Sequence, residues 1–166
     1  MSLTQTSPHT TALAGVAVIA RIRRVLILAV ILALAYTVVL SGSAGYCPGG
    51  FDGNGGFIDS AGQATDQAPM CVTLQLRPSI LIYAALGLIV LLAIGRVMKA
   101  SDELVALRIL DRAAIAIVVL AVVAMAVSVV WFRMIPIQDF TGGSWSVFGL
   151  FPFGVVSVDI TPMQGR

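Results

Sequence analysis

Three stretches of this chain, Val25–Leu40, Ser79–Gly95 and Ala113–Phe132, contain no Asp, Glu, Lys, Arg or His between their ends. An apolar stretch without an ionisable group offers no proton relay, haem ligand or ion counter-charge. Histidine is scarce too: His9 is the sole example, so no histidine-based zinc set can be assembled. Charged residues make up 11% of the chain, against roughly 25% in soluble domains. The net charge of +2 is small, and no dense basic patch exists beyond Arg21, Arg23 and Arg24, which excludes a nucleic-acid partner. No constellation of residues points to a catalytic site, a metal or a cofactor.

What the chain has instead is apolar length. A helix needs about 20 residues to cross a hydrocarbon core roughly 30 Å thick. Ala113–Phe132 meets that alone, and Val25–Leu40 reaches it if the small residues Ser41–Gly45 extend it. Ser79–Gly95 is shorter, at about 25 Å, with Arg77, Arg96 and Lys99 flanking it to snorkel toward headgroups. The continuous runs lack the alternation of a barrel strand. The expected fold class is therefore an all-α membrane protein with three transmembrane helices, 25–45, 79–95 and 113–132. They are separated by an N-terminal segment 1–24, an external loop 46–78, a connection 96–112 and a C-terminal segment 133–166.

Orientation follows from Lys and Arg. Arg21, Arg23, Arg24, Arg96, Lys99, Arg108 and Arg112 fall on one side of these spans, and Arg77, Arg133 and Arg166 on the other. The positive-inside rule then puts the N-terminus in the cytoplasm and the C-terminus outside a plasma (inner) membrane. Arg21, Arg23 and Arg24 would fix topology and touch anionic lipid. A cleaved signal peptide is the alternative for the first span, with Gly42-Ser43-Ala44 resembling a cleavage site. The 16-residue apolar core and long basic leader favour an uncleaved anchor. A fourth crossing over 142–160 is opposed by Gly149, Pro152 and Gly154.

The segment 41–78 changes character, with eight glycines and Asp52, Asp59 and Asp66. Cys47 and Cys71 bracket much of it on the side where disulfides persist. Closing a loop of that length contributes about 3 kcal/mol in the chain-entropy model. With 23 residues between them, the cysteines lack the Cys-x-x-Cys spacing of redox sites. Val72–Arg77 alternates apolar and polar residues, as does 156–161, so strands 72–77 and 156–161 should pair in a small disulfide-stapled β-cap. Asp52-Gly53-Asn54 opens like a calcium loop, but Gly56, Phe57 and Gln63 occupy positions where that loop needs a ligand, a glycine and a glutamate. A glycine-rich turn with Asp and Asn accepting backbone hydrogen bonds is the better reading.

In the connection 96–112, Ser101 is placed to cap a helix whose first turn holds Asp102 and Glu103, and Asp111 to pair with Arg108. Polar residues inside the spans are few: Tyr36, Thr37, Tyr83 and Ser128. Phe140, Trp145, Phe148, Phe151 and Phe153 cluster after the third span, as interfacial packing or as a docking surface for another membrane protein. The function expected is non-enzymatic: an accessory or structural subunit of a larger membrane complex, whose partners are lipid and other integral subunits or further copies of itself. A homo-oligomeric transport or channel module and an external ligand sensor are the alternatives. Mass spectrometry should show Cys47 and Cys71 protected from alkylation until reductant is added; two labels on the unreduced protein would remove the staple from this scheme.

Overall fold

A computed structural model describes residues 15–53, 55–137 and 153–163. Helix α1 covers Val16–Val39, α2 covers Ile80–Val97 and α3 covers Glu103–Arg133. Two of them, α2 and α3, are long and apolar enough to cross a membrane. The first helix combines the apolar stretch from Val25 with Arg21, Arg23 and Arg24 inside its own N-terminal half. It therefore starts well before the expected span. It also stops earlier: Ser41–Gly45 do not prolong it, because Leu40 leaves the helical register and the chain turns into a strand at Ser43.

Helix α3 is the spine. Its buried residues Ala106, Leu110, Ala113, Ile117, Ala121, Ala124 and Ser128 advance in steps of three or four residues, which keeps them on one face. Four of the seven are alanines, so neighbouring backbones can approach closely. Both α1 and α2 pack along α3 more extensively than along each other. Helix α2 contributes Ile82, Leu86, Val90 and Ala93 to the interior, again in steps of three and four. The expected cap on α3 is corrected by one residue. Asp102, not Ser101, is the extended residue preceding the helix, and its carbonyl accepts from the N–H of Ala106 at 3.1 Å.

The β-cap is a three-stranded antiparallel sheet ordered β1 (Ser43–Tyr46), β5 (Met70–Pro78), β6 (Gly154–Pro162). The expected pairing of 72–77 with 156–161 is present within a longer ladder that runs from Met70↔Pro162 to Pro78↔Gly154. On the central strand Val72, Leu74 and Leu76 are buried and the intervening residues are not, which is the period-two pattern of a half-buried strand. Strand β1 takes in residues expected to extend the first span. It pairs Ser43↔Gln75 through Tyr46↔Val72, and the same register carried one residue further sets Cys47 opposite Cys71. Those cysteines form the disulfide, with Cα atoms 4.2 Å apart.

Inside the disulfide loop lies a second small antiparallel sheet, β2 (Gly50–Phe51), β3 (Phe57–Ile58) and β4 (Ala64–Thr65). Its second turn is organised by Asp59, whose Oδ1 accepts from the N–H groups of Ala61 and Gln63 at 2.9 and 2.8 Å. This is the local turn chemistry expected of aspartate in a glycine-rich segment. Gly49, at φ +138°, admits no side chain, since a Cβ there would meet the Ile58 carbonyl and the Pro69 ring.

Cap and helices share one interior. Leu76 belongs to the same buried cluster as Tyr36, Leu40, Leu86 and Ile117, with Phe153 and Val156 packed against it. Gly154 sits at this junction, where an added Cβ would lie 3.3 Å from Leu76 Cδ1 and 3.6 Å from Leu40 Cδ2. Gly154→Val should therefore lower stability by about 1–3 kcal/mol through overpacking. An unchanged thermal unfolding midpoint would show that the junction is looser than described.

Candidate functional site

The scarce polar groups of the helices meet at one place. Tyr36 on α1 and Ser128 on α3 are both fully buried. A hydroxyl in such surroundings needs a partner, because burying it unbonded costs about 1–3 kcal/mol. Each finds the same one: Tyr36 donates its O–H to the Phe153 carbonyl at 2.6 Å, and Ser128 Oγ donates to that carbonyl at 2.9 Å. One backbone oxygen with two lone pairs thus joins α1, α3 and the residue before β6.

The same tyrosine oxygen also accepts. The Ser79 N–H donates to Tyr36 Oη at 3.0 Å. Ser79 is itself buried and is the N-cap of α2, its Oγ accepting from the Leu81 N–H at 3.3 Å. It follows directly on Pro78, the last residue of β5. Strand β5 therefore passes into α2 with no intervening loop, and the passage is fixed by a hydroxyl from α1. Beside it, the Tyr36 and Tyr83 rings stack edge to face, 5.5 Å apart at 81°. Tyr83 Oη then shares a 2.6 Å hydrogen bond with Thr37 Oγ1, which also donates to the Ala33 carbonyl at 2.9 Å.

The opposite end of the helices carries charge. Arg21 Nη2 on α1 lies 2.9 and 3.0 Å from the two carboxylate oxygens of Asp111 on α3. This corrects the expected Arg108–Asp111 pair: packing α1 against α3 brings Arg21 across, and the contact between helices replaces the one along the helix. Both side chains remain substantially exposed, at 35% and 50%, so the pair contributes about 0–1 kcal/mol. Among the described residues it is the one ion pair present, and Arg23 and Arg24 take part in none.

Of the aromatic group expected to offer a docking surface, Phe140, Trp145, Phe148 and Phe151 lie outside the described residues. Phe153 is partly buried against the shared interior, and its contribution to the junction is a backbone oxygen, which a side-chain reading does not anticipate. Cys47 and Cys71 are bonded to each other as expected. Among the described residues no group of three or more His, Cys, Asp or Glu is placed to hold a metal ion. No protein-family model, curated protein or solved structure matches the chain significantly.

The junction makes a graded prediction. Tyr36→Phe deprives the Ser79 N–H of its acceptor and the Phe153 carbonyl of one donor, and should destabilise by about 1–3 kcal/mol. Ser128→Ala leaves that carbonyl bonded to Tyr36 and should cost about 0.5–1.5 kcal/mol. Thermal unfolding that ranks Ser128→Ala as the more damaging change would contradict this arrangement.

Proposed function

We propose that this chain is a three-span protein of the plasma (inner) membrane that serves, without catalysis, as an accessory or structural subunit of a larger membrane assembly. The observation that carries the reading is how the helix surfaces are used. The polar side chains are committed internally: Tyr36 and Ser128 hold α1 and α3 to the residue before β6, Thr37 and Tyr83 join α1 to α2, and Ser79 caps α2. The outward faces are apolar, with Val38 at 73%, Ile80 at 79% and Leu91 at 68% exposure. Less than a third of each apolar window in α2 and α3 is buried. Apolar faces of that extent require lipid or other protein around them.

Topology follows from the two ends of the bundle. Arg21, Arg23, Arg24, Arg96, Lys99, Arg108 and Arg112 belong to the end marked by the Arg21–Asp111 pair, which the positive-inside rule assigns to the cytoplasm. The cap with its disulfide then lies on the oxidising side. Two helices packed on one alanine-lined spine leave little interior for a pathway of their own. Their surfaces are what they can offer, and association in lipid through packing is the role such surfaces suit.

Two measurements test the reading in sequence. Reporter fusions in the Lys99–Ser101 link and after Arg166 should report opposite sides of the membrane, with the link inside. Purification of the full chain from its native membrane in mild detergent should then recover stoichiometric partner subunits. Recovery solely as a monodisperse monomer would count against the subunit role.

A further inference from the structure

Along the basic half of the α2–α3 hairpin runs a groove of about 310 Å³. That is at the small end of ligand clefts, which span roughly 300–1,000 Å³, and suits one slender chain better than a packing helix. Its floor and walls include Ile89 and Ala93 from α2 and Ala113 and Ala116 from α3, and the surface is almost wholly apolar. At one end the lining changes to two cations, Arg96 in the last turn of α2 and Arg112 in α3. Neither takes part in an ion pair among the described residues, and the neighbouring Asp111 is already held by Arg21. A two-cation rim closing an apolar groove between helices is complementary to one ligand chemistry: a phosphate attached to a hydrocarbon chain.

We propose that this groove binds one anionic phospholipid, its phosphate held by Arg96 and Arg112 and an acyl chain lying along Ala93, Ala113 and Ala116. The small residues supply the depth, since longer side chains there would fill the space. Arginine suits the task because its planar fork donates two parallel hydrogen bonds to phosphate oxygens. The groove between α1 and α2 is a useful contrast. It is also apolar, lined by Ala29, Ala33 and Gly87, but carries no charged residue and has no comparable preference to offer. The proposal rests on the membrane reading above and assigns that protein a specific lipid.

Native mass spectrometry on the full chain in mild detergent, titrated with dioleoyl phosphatidylglycerol or dioleoyl phosphatidylcholine, tests it. One phosphatidylglycerol should be retained in preference to phosphatidylcholine. The double change Arg96→Gln/Arg112→Gln should weaken that retention about tenfold, and Ala116→Trp should weaken it without altering charge. Arg133→Gln, the same charge change at the far end of α3, should leave it intact. Equal retention of both lipids, or no effect of the double change, overturns the site. So does a protein dimer that Ala116→Trp abolishes while lipid adducts persist, which would give the groove to a second copy. Alkaline carbonate extraction separates the two levels of failure. Protein that stays with the membrane but shows no lipid preference overturns the lipid site alone, and protein released by carbonate overturns both.

Discussion

A single carbonyl oxygen, that of Phe153, accepts hydrogen bonds from hydroxyls on two different helices. Around it the molecule divides its labour. The helices have almost no polar side chains to spend, and they spend them here, where buried donors and acceptors must be matched. Because Tyr36 both donates to Phe153 and accepts from Ser79, the same hydroxyl fixes where β6 begins and where α2 begins. Helices α1 and α3 thus bear hydrogen bonds to the residue before β6, and α2 is tied in through the same tyrosine. The apolar contacts of Leu40, Leu76 and Val156 supply attraction without direction, and the tyrosine supplies the direction.

The two ends of the bundle are held in different ways. At the cap end the bonds are buried, directional and shared, and each depends on the others being in place. At the basic end Arg21 and Asp111 meet in partial exposure, where water and salt weaken their attraction. One end is therefore firm and the other adaptable. The proposed lipid site lies in the adaptable half, where the arginines that line it are not engaged by carboxylates.

Much of this was legible in the sequence, and the gaps have physical causes. The alternation of Val72, Leu74 and Leu76 announced a half-buried strand, and a buried strand required a partner, which 156–161 supplied. Strand β1 escaped because Ser-Ala-Gly-Tyr has no strand signature; it is extended because the chain leaving Leu40 must run beside β5 to bring Cys47 to Cys71. Spacing along a helix is visible in a sequence and pairs Asp111 with Arg108, whereas the approach of α1, which brings Arg21 to Asp111, is not. The polar residues Tyr36, Thr37, Tyr83 and Ser128 stood out against their apolar surroundings. Their convergence did not, since its focus is a main-chain atom and main-chain atoms leave no mark in a sequence.

The position of β5 sets a timetable for the molecule. It lies at the centre of its sheet, bonded on one side to β1, made before it, and on the other to β6, which follows α2 and α3 in the chain. During synthesis one edge of β5 can close early, with the disulfide at its side, while the other stays open through the manufacture of two helices. Tyr36 waits over that interval for its acceptor, and Ser128 from the last turns of α3 until Phe153 is made. The first helix and the last strand therefore close on each other only after everything between them has been made.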